Sequence, residues 1–445
     1  MQSEYRPLGD FVTLASGSTP SKANAAYWGG ATPWVSAKDM ADFWIEDAED
    51  HLTELGVNAA SRLVPAGTVL MLARGMTLHK RVPICRVVKP STFNQDVKAV
   101  LPKKELSARF LPYLLVGNHA RLHERVDSAG HGTGRLNTDA ILSFPVLVPC
   151  ESVQEEIADI GEAIDHRLRL LRQTNSTLES IAQALFKSWF IDFDPVRAKA
   201  DGREPEGMDA ATAALFPAEF EESALGLIPK NWAPSSLGAI CAGAGGWIQT
   251  GPFGSQLHAS DYVDEGIPVV MPQDMQDRRV SDTRIARVRQ LDAERLAKHA
   301  LAVGDIVFSR RGDVGRHATV SEREVGWLCG TGCLLVRPGV GAKSPAYLSQ
   351  ALAHPQSVEW LKRHAVGATM PNLNTGIMEA LPLLRPSDAV LGAFERIVGP
   401  LEQRMTLNHA HASSLSAVRD QLLPRLISGK LRLPEAQAQL EDALS

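Results

Sequence analysis

The sequence predicts an α+β fold: two β-rich domains separated by a pair of long antiparallel helices, arranged as an internal pseudo-two-fold duplication. Two observations carry this expectation. Between Ser152 and Phe190, apolar residues fall at Val153, Ile157, Ile160, Ile164, Leu168, Leu171, Leu178, Ile181 and Leu185. Those steps of three and four describe a long helix with one apolar seam, interrupted at Asn175. Such a helix spans roughly 55–60 Å, more than a compact domain needs. Adding 237 to each number finds the seam again at Phe394, Ile397, Leu401, Met405, Leu415, Val418 and Leu422. Ile164 and Leu171 lie on the same stripe as Leu401 and Asn408, so the two helices are expected to bury these seams against each other.

The second observation is matched order at matched spacing. LGDF at Leu8 is echoed by LGAI at Leu237, and PWVSAKDM at Pro33 by PVVMPQDM at Pro268. VPAGTVLMLARG at Val64 returns as LAVGDIVFSRRG at Leu301, and RLNT at Arg135 as NLNT at Asn372. From Gly67 onward the offset holds at 237; before that it is 229 and then 235, which confines length changes to the first third of each half. Repetition of this kind is the mark of a duplicated unit.

In chain order, residues 1–150 read as the first β-rich domain. LGDFVTLAS opens with a short strand, TPWVSAKDM supplies another, and VPAGTVLMLARG and VPICRVVKP read as buried strands between Gly and Pro punctuation. Phe110 to Glu124 reads as a helix, SAGHGTGRLNT as a Gly-rich loop and FPVLVP as a short strand. Residues 151–194 carry the first long helix. Residues 195–230, with Pro195, Pro205, Pro217 and Pro229 among acids, read as a linker. Residues 231–386 form the second domain, 387–432 the second long helix and 433–445 a tail.

Composition sets the class. The 445 residues are 44% hydrophobic and 22% charged, which places the chain among ordinary globular proteins. No apolar run of 18 residues and no signal peptide pattern occurs, and five scattered cysteines suit a reducing compartment, so the cytoplasm is expected. The net charge of −5 argues against a simple nucleic-acid binder, but charge is uneven. Arg74, Lys80, Arg81, Arg86 and Lys89 occupy a stretch without acids, and Arg310, Arg311 and Arg316 hold the matching place in the second half.

No motif in the chain supplies a catalytic set. AGHGTGR (129–135) lacks the strand, helix and distant acid that a dinucleotide site needs, and reads as a turn. His119, His123 and His131, or Cys329 and Cys333, lack a second ligand pair at zinc-site spacing. Asp96-Val97-Lys98 resembles the end of a nuclease motif, but its counterpart near Cys333 keeps neither charge. Recognition is therefore expected rather than transformation. ARGMTLHKR and SRRGDVGR aim basic side chains from turns after buried strands, and Arg can grip guanine or phosphate bidentately. The polar turns GSTPSK (17–22) and QTGPFGSQ (249–256) differ between halves on a matched frame.

LFKSWFIDFDPVRAK at Leu185 resembles the central conserved region of type I restriction-modification specificity subunits. The two-half layout, SGSTPSK…WVSAKDM and the LNT loop before a Pro-flanked strand and a long helix are similar too. The likeness covers nearly the whole chain, excluding the 200–230 linker and the last dozen residues. The second helix departs from it, with LPRLISGKLRLP in place of FKSWFIDFDPVR. The resemblance implies a non-catalytic subunit whose two target-recognition domains each grip one part of a split site on double-stranded DNA. The helices would hold the domains apart, setting the spacer, and dock two methyltransferase subunits. It implies no cofactor bound directly: S-adenosylmethionine, ATP and Mg would belong to partner subunits, including a restriction/translocase subunit. The residues expected to contact DNA are Ser18, Thr19, Lys22, Lys38, Arg74, His79, Lys80, Arg81 and Arg135 in the first half. Those in the second are Gln249, Thr250, Ser255, Gln256, Gln273, Arg310, Arg311, Arg316 and Asn372. A DNA-modifying enzyme and an assembly scaffold are the competing expectations.

Overall fold

The computed structural model describes residues 4–59, 62–129, 132–224, 226–253, 256–282, 285–367 and 371–444. They form two compact units, Met1–Leu171 with Ala410–Ser445, and Arg172–His409.

In the first unit a five-stranded sheet runs in the order Val12–Ser16, Val97–Pro102, Val69–Leu72, Ile84–Val87, Trp44–Ile45. Its Val69–Leu72 strand is buried on both faces, which is why it reads as an unbroken apolar run. A second sheet joins Asp50–Leu52, Trp28–Val35 and Thr92–Phe93, the last pair parallel with Trp34 opposite Thr92. The second unit repeats the plan with Trp247–Thr250, Cys333–Arg337, Ile306–Ser309 and His317–Thr319 in the corresponding order. Its parallel pair places Val269 opposite Leu328.

The duplication extends to individual turns and bonds. Gly67 and Gly304 each take positive φ, +85° and +82°, as third residue of a turn closed by Thr68 N to Pro65 O and Asp305 N to Ala302 O. An L side chain is disfavoured there, so both halves use glycine. The Asp39 carboxylate accepts from Ser36 N at 2.8 Å, and that of Asp274 accepts from Met271 N at 2.8 Å. Pro7 pairs with Pro145 in one unit and Ser236 with Pro382 in the other.

The two long helices run over Glu151–Phe190 and Asp388–Ile427. In the first unit, Ile164, Leu168 and Leu171 share one core with Leu415 and Leu422. In the second, Asn175 Nδ2 donates to Met405 O (3.3 Å), Asn408 Nδ2 donates to Asn175 Oδ1 (2.8 Å), and Phe190 packs on Phe394. Within each unit, rising numbers on one helix meet falling numbers on the other, so the pairing is antiparallel. The expected seam drifts after Asn175. Ala182 and Phe186 are buried, whereas Ile181 and Ile397 are 43% and 41% exposed. A helix at 3.6 residues per turn slips against a 3.5-residue pattern, and the aromatic cluster beyond Ala182 sets which face turns inward.

Three other expectations are revised. Leu8–Phe11 is one helical turn rather than the start of the strand. The helix expected over Phe110–Glu124 is broken at Asn118, whose side chain donates back to Leu114 O at 2.9 Å. The segment expected as a linker is folded, with helices at Asp194–Ala200 and Ala210–Ala214 and a hairpin of Phe220–Ser223 with Gly226–Pro229. Lys199 Nζ donates to Ala213 O at 3.1 Å and to Phe216 O, and Phe216 meets Trp189 edge-on at 5.0 Å. Pro and acids there punctuate short elements instead of an open chain. The expected tail likewise holds a helix, Leu433–Leu444, with Ala436 and Leu440 buried in the first unit's core.

Arginine fastens each sheet domain to helix. In the first unit Arg109 reaches Glu155 (2.6 Å), Asp159 (2.7 Å) and Glu162 (2.6 Å), and Arg86 also reaches Glu162 (3.2 Å). In the second, Arg278 pairs with Glu179 and donates to Ser349 Oγ at 3.0 Å.

Candidate nucleic-acid interface

The strand Val69–Leu72 ends in a two-residue strand, Arg74–Gly75, that pairs with Thr133–Arg135 and sets Arg74 directly opposite Arg135. Both side chains are exposed, and neither forms an ion pair among the described residues. Like charges opposite one another destabilise a sheet unless an anion lies between or above them. The second unit builds the same bridge 237 residues on, Arg311 opposite Asn372, with Arg311 again exposed and without an ion pair among the described residues. Arg310 Nε donates to Asn372 Oδ1 at 3.1 Å and to Leu373 O at 2.9 Å, so Arg310 and Asn372 brace the bridge that presents Arg311.

The Gly17–Lys22 turn is held by two tryptophans the sequence reading passed over. Trp34 Nε1 donates to Ser18 O (3.0 Å) and Trp28 Nε1 to Ser21 O (3.2 Å), while Lys22 Nζ lies 5.9 Å and 5.8 Å from the Trp28 and Trp34 rings. Ser18 N donates to Phe93 O at 3.0 Å, and Thr19 Oγ1 to Gln95 Oε1 at 2.6 Å. The turn thus presents Thr19 and Lys22 on a rigid support.

Other basic candidates are engaged internally. Arg81 Nη2 donates to Met40 O (2.8 Å) and Ala41 O (2.7 Å), Arg86 lies against Gly67 O and Glu162, and Lys89 pairs with Asp47 at 3.0 Å. The Lys89 partnership, with that of His51, holds the Asp47 carboxyl down at about 2. Lys38 sits between Glu49 (2.9 Å) and Asp50 (3.1 Å), which cancels its charge. His79 contacts Gly132 O at 2.9 Å, and Lys80 is exposed beside it. Gln249 Nε2 donates to Lys298 O at 2.6 Å; Thr250 is half-buried in the same strand. Gln256 closes its own turn by accepting from Phe253 N (3.2 Å). Ser255 and His131 lie outside the described residues. Arg316 pairs with Asp313 at 2.7 Å, and Gln273 is exposed.

His119, His123, Cys329, Cys333 and Lys98 serve the fold. His119 Nε2 accepts from Val82 N at 3.0 Å, His123 meets Leu78 O at 2.8 Å, and Cys329 and Cys333 are fully buried. Lys98 Nζ donates to Ser16 Oγ at 2.6 Å. No helix among the described residues is long and apolar enough to cross a membrane.

Residues 2–180 match the family model described as the type I restriction modification DNA specificity domain. Over that stretch the chain is similar to the specificity subunits of type I restriction-modification systems. It is 25% identical over 440 residues to the type I restriction enzyme MjaIX specificity subunit of Methanocaldococcus jannaschii, covering 97% of this chain and 94% of that one. It is 27% identical to the HindI specificity subunit of Haemophilus influenzae, over 72% of this chain and 77% of the relative. The crystal structure of a type I restriction-modification S subunit from M. genitalium has a similar fold, with TM-score 0.55 and 15% identity over 95% of each chain.

Proposed function

We propose that this chain selects a bipartite sequence on double-stranded DNA for a type I restriction-modification complex, each unit reading one half-site. The observation that carries this is the repeated bridge, Arg74 opposite Arg135 and Arg311 opposite Asn372. The two copies share a frame but differ at one position, Arg against Asn, as readers of different half-sites require. The acidic total is no obstacle, because the charges nearest a bound duplex govern the local field.

Two methyltransferase subunits are the proposed partners on the long helices, where Leu170, Ile181, Ile397 and Leu407 expose large apolar side chains. They would bring S-adenosylmethionine; a restriction/translocase subunit would bring ATP and Mg. Such a complex works in the cytoplasm. The test is base-resolution mapping of genomic methylation in cells with and without this chain. Methylation at a two-part motif with a fixed spacer should disappear on removal. Methylation that persists without the chain, or methyl transfer by the purified chain alone, would overturn the proposal.

A further inference from the structure

The second unit contains an open cleft of about 590 Å³ between the segment around Gln273–Arg278 and the loop Asp313–His317. Its walls come from elements that the fold fixes firmly. Gln273 lies on the single turn Pro272–Asp274, closed by the Asp274 carboxylate on Met271 N. Gln276 lies on a hairpin with Met275 opposite Val280 and Gln276 opposite Arg279. Both glutamine side chains are exposed, and neither amide has a hydrogen-bond partner among the described residues. His317 closes the inner wall. Its Nδ1 faces Gly315 O at 2.9 Å, its ring stacks on Phe308, and burial pushes it down to about 4, so it stays neutral.

The charges of the cleft cancel or are acidic. Arg316 is paired with Asp313, Arg278 with Glu179, and Asp277 has no ion-pair partner among the described residues. A phosphate would meet no net positive field there. Neutral amides, by contrast, match base edges: a Gln side chain can donate to N7 and accept from N6 of adenine in the major groove.

Arg278 holds this wall in place. Asp277 and Arg278 both adopt left-handed backbone, φ +49° and +57°, which side-chain-bearing residues keep only where surrounding contacts enforce it. The enforcing contacts are on the helices. Arg278 pairs with Glu179 on the first long helix and donates to Ser349 Oγ, while Arg279 Nη2 donates to Glu402 O (3.3 Å) on the second. In the first unit the place of Gln273 is taken by Lys38, neutralised by Glu49 and Asp50. The two units therefore carry different chemistry at one structural position.

We infer that this cleft is a base-reading site of the second unit, with Gln273 and Gln276 contacting adenine edges of duplex DNA and Arg278 as the positioning residue. The inference rests on the specificity-subunit reading and assigns residues within it. The experiment expresses the full chain with its methyltransferase subunits and maps methylation for Gln273→Ala, Gln276→Ala, Arg278→Ala and Arg278→Lys. At least one glutamine variant should lose about tenfold or more of its discrimination at a single adenine position. The other half-site should be unchanged. Arg278→Ala should weaken every position of the same half-site, and Arg278→Lys should restore part of it by still reaching Glu179. Both glutamines are exposed and make no internal bond, so their variants fold whatever becomes of Arg278→Ala. An unchanged motif in both glutamine variants overturns the inference while leaving the two-part motif, and the function, standing. A uniform loss over all sequences with a shallower salt dependence also overturns it, because that marks a phosphate contact. A wild-type complex with no two-part motif overturns both readings.

Discussion

Replacing Trp189 by Ala should destabilise the protein by about 3–5 kcal/mol, the usual cost of emptying a buried large aromatic site. Trp189 is 3% exposed and meets Phe216 at 5.0 Å, Phe394 at 5.7 Å and Phe190 at 6.1 Å. These rings join the end of the first long helix to the second long helix and to the folded 195–230 segment. Edge-to-face contacts add to the area buried, and the bulky neighbours cannot collapse into the space left behind. Urea denaturation followed by far-UV circular dichroism measures the loss. A change below about 1 kcal/mol would mean the cluster is not packed as described.

Leu171→Ala should cost about 2–5 kcal/mol, whereas Ile181→Ala should stay within about 0.5 kcal/mol. Both residues belong to the apolar pattern of the first long helix, but Leu171 is 5% exposed and Ile181 is 43% exposed. If the methyltransferase docks where Ile181 and Ile397 face outward, Ile181→Ala should lower methylation in the assembled complex despite its normal stability. Equal melting losses for the two variants would contradict the burial pattern. Normal methylation by a stable Ile181→Ala, Ile397→Ala double variant would remove that surface from the docking proposal.

Much of the fold was legible because it rests on periodicity and punctuation. The 237-residue offset paired Gly67 with Gly304 and Arg74 with Arg311, since local chemistry is repeated in order, whereas the bridges to Arg135 and Asn372 join residues remote in sequence and needed the fold to show them. The helix bounds were within a residue of the structure at the first long helix. The seam was misplaced at Ile181 and Ile397 because a linear pattern does not record which face neighbouring aromatics claim. The 195–230 segment was misjudged for a related reason. Its Pro and acidic residues signal turns, but only the tertiary contact of Phe216 with Trp189 shows that those turns are packed.

The basic candidates divide along the same line. Composition located Arg74, Arg81, Arg86 and Lys89 together, but which ones stay available depends on partners remote in sequence. Met40 and Ala41 carbonyls take Arg81, Glu162 takes Arg86 and Asp47 takes Lys89. Arg278 carried no sequence signal at all, since its role depends on a left-handed turn and on Glu179 about a hundred residues away.

The central claim is that two equivalent arginine bridges serve two separate half-sites. It is tested most directly by mapping methylation in cells carrying Arg74→Ala or Arg311→Ala in the full chain with the proposed methyltransferase subunits. Each variant should relax or weaken one half-site only, and a different one in each case, with a loss of roughly 1–3 kcal/mol if the arginine reads a base. Both side chains are exposed and outside any ion pair among the described residues, so stability should not change. Identical effects on both half-sites, or an unaltered motif in both variants, would contradict the account.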